Sequence, residues 1–273
     1  MELIQIFNYD QLNILFPDGV KVFEIKEGKL SFGTVIIREF IESQIVSFNI
    51  IEPLSDSKYG DLFEKIIDLV RRFGSKLLLH YALVPNPFTD FLEARGGMAI
   101  KRAEMSLDLE KYMSHDVMVP KDIELAPFLL SPIKEKITLC FDSIPTYDRL
   151  IFSSYSPSDL SELYTFLYTG REGIFVPEFS MNLYYKEKLI GFIMVNIFSQ
   201  NKLTISEIII FSPFQGRGFG KLLLNESLKK MKRKGRKTVF LSVTKRNKKA
   251  LNMYIEFGFE RIRDYLVYVL ELG

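Results

Sequence analysis

Tryptophan is absent from this 273-residue chain, cysteine occurs once and histidine twice. With Cys140 alone, no intramolecular disulfide can form, and nothing argues for an oxidising compartment. His80 and His115, without a cysteine cluster, are too few for a zinc site, so no metal is expected. A nucleophilic cysteine needs a base beside it, and with two histidines to draw on, acyl-enzyme chemistry at Cys140 is not expected either. Long apolar runs are also missing. The longest, Leu189 to Val195, falls far short of the roughly 20 residues a membrane helix requires, so no membrane contact is expected. The opening MELIQIFNYD has no basic segment ahead of an apolar one, so no secretory signal is read there, and a cytoplasmic location is expected.

What remains is the composition of an ordinary globular protein. The length favours two domains, each large enough to bury its own core. A net charge of +2 makes nucleic acid an unexpected partner, although Lys229, Lys230, Lys232, Arg233, Lys234, Arg236 and Lys237 crowd together. Cations suit the negative end of a helix dipole, and a solvated helix end is the expected reading of that cluster, with an acidic partner or nucleic acid as the other reading.

The informative stretch runs from Leu203 to Lys234. Leu203 to Phe211 is β-branched and apolar, too short for a typical helix, and stopped by Ser212-Pro213, which predicts a buried strand. Gly216, Gly218 and Gly220 follow at alternate positions, and Leu222, Leu223, Leu224, Leu228 and Met231 then recur with helical spacing. A glycine loop opening directly into a helix leaves backbone N–H groups free beside the positive dipole end, which makes an anion site suited to a pyrophosphate. The dinucleotide fingerprint is excluded, because Gly216-Arg217-Gly218-Phe219-Gly220 is one residue short between its last two glycines. The P-loop is excluded as well, because three residues rather than four separate the outer glycines and Leu222 follows Lys221.

The spacing of Gln215, Gly218 and Gly220 resembles the Gln/Arg-x-x-Gly-x-Gly/Ala signature of the GCN5-related N-acetyltransferases, the GNAT superfamily. Thr238 to Thr244 as a further strand, and Asn247 to Phe259 as a helix with a Gly-Phe ending, continue the likeness. The resemblance implies an α+β fold with a mixed, mostly antiparallel sheet flanked by helices.

A weak internal repeat extends this to the first half. Sliding the chain by 160 residues lays Pro53 on Pro213, Gly60 on Gly220 and Leu62 on Leu222; one further residue lays Gly74 on Gly235, Lys76 on Lys237, Asn86 on Asn247 and Gly97 on Gly258. The loop chemistry is missing from this copy: Ser55, Asp56, Ser57 and Lys58 stand where Gln215, Gly216, Arg217 and Gly218 stand, and Glu93 falls opposite Tyr254. The expected organisation is a degenerate GNAT-like domain over residues 1–112, a linker over 113–121, and an acetyl-CoA-binding GNAT domain over 122–273. Met181 to Phe198 reads as a hairpin with Lys186-Glu187-Lys188 at its tip, and Phe259 to Arg263 and Tyr265 to Leu270 as two closing strands.

What the resemblance implies chemically can be placed residue by residue. The backbone of Gln215, Gly216, Arg217, Gly218, Phe219, Gly220 and Lys221 would hold the pyrophosphate of coenzyme A, and the strand end at Ile209, Ile210 and Phe211 would pair with its pantetheine amides. Asn247 matches a cofactor-contacting position and serves equally well as a helix N-cap. Transfer to an amine needs the amine neutral, which for a lysine-like group at pH 7 costs about 4.6 kcal/mol. Glu207, a charge inside ISEIIIF, is the candidate base, with a solvent-facing strand position as the other reading. Tyr254 is the candidate acid for the departing thiolate, with a core aromatic as the other reading. The expected activity is acetyl transfer from acetyl-CoA to a small-molecule or peptide amine. A non-catalytic coenzyme A-binding module, or transfer of a longer or aminoacyl group, stands beside it.

Overall fold

The computed structural model describes residues 1–5, 20–39, 43–50, 54–72, 77–83, 85–115, 117, 119–151, 156–171, 173–198 and 202–272. The repeat positions Pro53, Gly74 and Lys76 lie outside them, as does the side chain of Asp56. In chain order the first half runs Glu2–Gln5 (β1), Val20–Glu27 (β2), Leu30–Glu39 (β3), Ser43–Ile50 (β4), Asp56–Arg72 (α1), Leu77–Ala82 (β5), Pro87–Ala94 (α2) and Met98–Asp108 (β6). The second runs Ile123–Pro127 (β7), Ser131–Glu135 (α3), Ile137–Ser143 (α4), Thr146–Ile151 (α5), Pro157–Thr169 (α6), Ile174–Phe175 (β8), Met181–Tyr185 (β9), Lys188–Phe198 (β10), Lys202–Ile210 (β11), Phe219–Arg233 (α7), Thr238–Thr244 (β12), Lys248–Glu256 (α8) and Glu260–Glu271 (β13). The fold is the mixed α+β arrangement read from the sequence, and the order β4-α1-β5-α2-β6 recurs as β11-α7-β12-α8-β13.

Residues Met1–Lys101 and Tyr265–Gly273 form one compact unit, and Arg102–Asp264 the other. These bounds differ from a break near residue 112, for a reason visible in the strand pairing. Residues 102–108 of β6 follow α2 in the chain but pair antiparallel with β12, and residues 266–271 of β13 follow α8 but pair antiparallel with β5. The last strand of each repeat therefore completes the sheet of the other. A second difference lies in β13 itself. Asp264, expected to separate two closing strands, instead stays within one strand, its carboxylate taking the Lys245 ammonium at 2.6 Å.

In the first unit the sheet runs β1-β2-β3-β4-β5-β13, antiparallel except where β4 lies parallel to β5. Leu62, Phe63, Ile66, Ile67 and Val70 of α1 recur at helical spacing and are buried, together with Phe88 and Leu92 of α2. Asn86 caps α2, its Oδ1 accepting from the backbone of Phe88 and Thr89.

In the second unit the sheet runs β6-β12-β11-β10-β9-β7, with β8 alongside β10. The β9–β10 hairpin turns at Lys186 and Glu187, whose φ values of 47° and 63° lie in the left-handed region that a two-residue turn needs to match the right-handed twist of its strands. Residues Leu189 to Val195 are buried along their whole length because helices cover both faces of the strand. Ile190, Ile193 and Val195 share one core with α7 and α8, while Leu189, Phe192 and Met194 share another with α3, α4 and α6. Helix α6 begins at a capping box, Ser156 with Asp159, around Pro157, and ends at Gly170 in the left-handed region. Helices α3 and α4 follow one another directly, divided at Lys136.

Candidate active site

Strands β11 and β12 are parallel neighbours, yet the pair Thr204–Phe240 is the whole of their register, so the strands part beyond it. Between them opens a cleft of about 780 Å³. Its walls include Ile205–Ile210 from β11 and Leu241–Thr244 from β12, with Ser143, Tyr147, Asp148, Arg102, Asn247 and Tyr254 also exposed to it.

A bulge in β11 decides which of its side chains enter the cleft and from which side. Opposite β10, Met194 faces Glu207 and Val195 faces Ile205, so Ser206 is the extra residue. Before it, Leu203 and Ile205 belong to the core under α7; after it, Ile208 and Ile210 do, while Ile209 and Phe211 join the core under α4 and α6. The one-residue slip sends Glu207 toward the α4 and α6 side. There its Oε2 accepts from the Tyr164 hydroxyl at 3.4 Å, and its Oε1 from the backbone N–H of Ile208 at 3.3 Å. Tyr254 is buried on the α7 and α8 side and reaches the same cleft. The parting of the strands brings the two groups into one space.

Burial, and then the charge of Asp148, push the Glu207 carboxyl up to about 7; the Ile208 N–H, Arg102 and Tyr164 oppose this. Tyr254 is held well above the ordinary phenol range by burial, with Glu207 and Asp148 adding to it, so its hydroxyl keeps its proton at neutral pH. Burial likewise raises Asp148, against the Thr244 hydroxyl, Arg102 and Asn247. The Cys140 thiol is fully buried and pushed up to about 12 by that burial, which leaves it protonated and unreactive.

The glycine loop opens onto the same cleft. Ser212–Phe214 forms a single 3₁₀ turn, and the chain then enters α7 through Gly218, which caps it at φ +83° without any side-chain bond to the first turn. A Cβ placed on Gly216 or Gly218 would meet open space, so the loop backbone is bare where an anion would lie. Gln215 fastens the loop, donating from Nε2 to the carbonyls of Ile210 (2.8 Å) and Ser143 (3.2 Å). Leu222, Leu223, Leu224, Leu228 and Met231 fix α7 to the sheet and so fix the direction of its N-terminus.

Of the residues expected to hold a cofactor, Ile209, Ile210, Gln215, Gly216, Gly218, Phe219, Gly220, Lys221 and Asn247 line the cleft, and so do both Glu207 and Tyr254. Phe211 and Arg217 do not. Phe211 is fully buried and its N–H is bonded to the Ile190 carbonyl at 2.8 Å. Arg217 turns back, donating to the Pro213 carbonyl at 3.1 Å with its guanidinium 5.7 Å from the Phe214 ring. Asn247 faces the cleft and caps α8, accepting from Ala250 N–H at 3.1 Å.

Residues 141–259 match the sequence model of the acetyltransferase (GNAT) family. The stretch 141–259 belongs to the GNAT superfamily. Among curated proteins, an uncharacterized N-acetyltransferase of Methanocaldococcus jannaschii is 38% identical over 65 residues, a stretch covering 24% of this chain and 29% of that relative. Among solved structures, a GCN5-related N-acetyltransferase from Sphaerobacter thermophilus superposes with a TM-score of 0.66 at 14% identity, covering 96% of this chain and 84% of its own. A tandem GNAT protein from the clavulanic acid biosynthesis pathway gives 0.62 at 14% identity, with 94% and 85% covered. At these identities the structural likeness speaks for the fold alone. The GNAT match holds the loop, Glu207, Tyr254 and Asp148, while Arg102 lies outside it.

Arg102, Asp148 and Tyr164 were not legible as site residues. Tyr164 follows Leu160 and precedes Leu167 at core spacing, and Asp148 lies in a six-residue helix too short to show a period. Arg102 sits on the strand that pairs out of chain order.

Proposed function

We propose that the second unit transfers an acetyl group from acetyl-CoA to a primary amine, directly between the two bound substrates. One observation carries this reading: the glycine loop at the α7 N-terminus and the Glu207–Tyr254 pair open onto a single cleft. The fit to coenzyme A rests on the bare backbone at Gly216 and Gly218, the uncapped first turn of α7, and a β11 edge that leaves β12 beyond Thr204. These groups would receive the pyrophosphate and the extended pantetheine arm. Lys221, whose ammonium pairs with Glu256 at 2.7 Å, stands at the loop as well.

Bound acetyl-CoA supplies an activated acetyl thioester. Glu207, with a proton affinity set near neutrality, takes the proton of an acceptor ammonium that enters the cleft. A base near 7 is far better matched to an amine than an ordinary carboxylate is, and it lowers the roughly 4.6 kcal/mol deprotonation cost in place. Tyr254, protonated at neutral pH, is the group able to give a proton to the departing sulfur. Cys140 has no part in the transfer, being buried and protonated.

The first unit is proposed as a structural copy. Its β4 and β5 stay paired from Ser43–Leu77 through Val46–His80, a longer register than the single Thr204–Phe240 pair of β11 and β12. The Ser55 carbonyl takes the N–H groups of Lys58 and Tyr59 at the start of α1. At the end of the following helix, Gly97 bonds back to Leu92 as Phe259 bonds back to Tyr254, so the buried counterpart of the tyrosine is Leu92 rather than the exposed Glu93. No helix among the described residues is long and apolar enough to cross a membrane; a cytoplasmic location is part of the proposal and rests on the lone cysteine. The test is release of coenzyme A in the presence of a panel of amines, with the acetylated product identified by mass spectrometry.

A further inference from the structure

The cleft holds a second carboxylate that the proposed transfer does not use. Asp148, on α5, is fixed from two sides. Its Oδ1 accepts from the Thr244 hydroxyl at the end of β12, and the Asn247 side chain at the head of α8 also bonds to it. Asn247 in turn caps the helix that carries Tyr254. Asp148 thus stands where the strands part, tied to the strand opposite Glu207 and to the helix bearing the proposed acid.

Resting on the reading of Glu207 as the base, we propose that Asp148 is a positioning residue for the transfer: anchored to Thr244 and Asn247, it presents Glu207 with a fixed negative neighbour and makes that carboxyl readier to take the acceptor's proton. The physical reason is that two carboxylates facing one low-dielectric space cannot both ionise freely, so the presence of one strengthens the other as a base. The remaining groups around the pair have been placed by the fold. Arg102 from β6 favours the charged form of both carboxyls, and Tyr164 from α6 donates to Glu207. Cys140 from α4 lies 3.8 Å from the Tyr164 hydroxyl, and Tyr254 from α8 is protonated. Tyr147, next to Asp148 on α5, is itself raised by burial and by Asp148, with Arg246 opposing. Among these, Asp148 supplies the negative charge acting on Glu207, and the Arg102 charge and the Tyr164 hydroxyl oppose it.

The experiment is the pH profile of kcat/KM together with a carbon-13 titration of the glutamate and aspartate carboxyls. Asp148→Asn keeps an acceptor for Thr244 and removes the charge. Its acid limb and the Glu207 titration should both move to lower pH, by roughly half a unit or more, while Asp148→Glu restores the charge and keeps the limb nearer its original position. An Asp148→Asn protein that folds, turns over and titrates with an unmoved limb overturns the proposal. If Asp148→Asn does not fold, the unsubstituted protein decides: the Glu207 and Asp148 signals should each sense the other's titration, and independent curves overturn the proposal. Glu207→Gln separates this from the underlying reading. A limb that survives Glu207→Gln places the base elsewhere, whereas a limb that Glu207→Gln abolishes and Asp148→Asn leaves unmoved refutes only the role of Asp148.

Discussion

Replacing Glu207 by Gln should make the protein more stable above neutral pH and less active at the same time. The carboxyl is lifted from 4.5 to about 7, chiefly because its surroundings disfavour the charged form. Below pH 4.5 it is protonated whether the chain is folded or not, and burial of its charge costs nothing. Between pH 4.5 and 7 the unfolded chain releases the proton while the folded one retains it, so stability falls as pH rises, and above 7 the full penalty is present. A difference of about 2.5 units at 1.36 kcal/mol per unit sets a ceiling of about 3 kcal/mol, and partial solvent access reduces it to roughly 1–3 kcal/mol. Gln keeps an oxygen for the Tyr164 hydroxyl and has no charge to bury. Urea unfolding at pH 4.5 and pH 8 reads this directly: the two proteins should match at the lower pH, and the variant should gain at the higher. Activity should move the other way. Wild-type kcat/KM should fall below pH 7, whereas the variant should lose about 10²- to 10⁴-fold at neutrality, with a residual rate that rises as the acceptor deprotonates in solution. A variant as pH-sensitive in stability as the parent would refute the assignment of that titration to Glu207.

Three other substitutions test separate parts of the account. Tyr254→Phe removes one hydroxyl and keeps a buried ring, so kcat should drop about 10²-fold with the melting temperature nearly unchanged, and a change within about threefold would return Tyr254 to a purely packing role. Gly218→Asp puts a side chain and a negative charge into the open loop and strains a residue at φ +83°; calorimetry should show coenzyme A affinity down at least about tenfold, from one site per chain, while Ser57→Ala changes nothing. The reverse pattern would place the cofactor in the first unit. Gly191→Ala would set a Cβ 2.5 Å from the Ile209 carbonyl on buried β10 and should cost about 1–3 kcal/mol in chemical denaturation; a cost below about 0.5 kcal/mol would mean the strands yield where the packing says they cannot.

Much of the site was written in local sequence, because a strand, a glycine loop and a helix in succession leave one geometry for the backbone. The helical run of leucines after Gly218 follows from periodicity, and the limits of β12 from the family resemblance. The unusual position of Glu207 inside an apolar strand was visible too, although the bulge at Ser206 that turns it into the cleft was not, since an extra residue shows only against a partner strand. Phe211 and Arg217 were legible as part of a motif but not as side chains, and tertiary packing took one into the core and folded the other back on the turn. What could not be read was long-range. Arg102, Asp148 and Glu207 meet through pairing of β6 with β12 and the seating of a single-turn helix, neither of which leaves a periodic trace. The same pairing displaced the unit boundaries, because chain order assigns β6 and β13 to the repeats that precede them while hydrogen bonding assigns much of each to the other sheet.

The central claim is that one cleft holds both the acyl donor and the chemistry. Incubation of the purified protein with acetyl-CoA and a panel of primary amines, following free thiol and product mass together, tests it most directly. The account predicts stoichiometric coenzyme A release and N-acetylated product with at least one amine, both lost in Glu207→Gln at neutral pH. Coenzyme A bound tightly at the loop, with no amine acetylated at any pH, would contradict it.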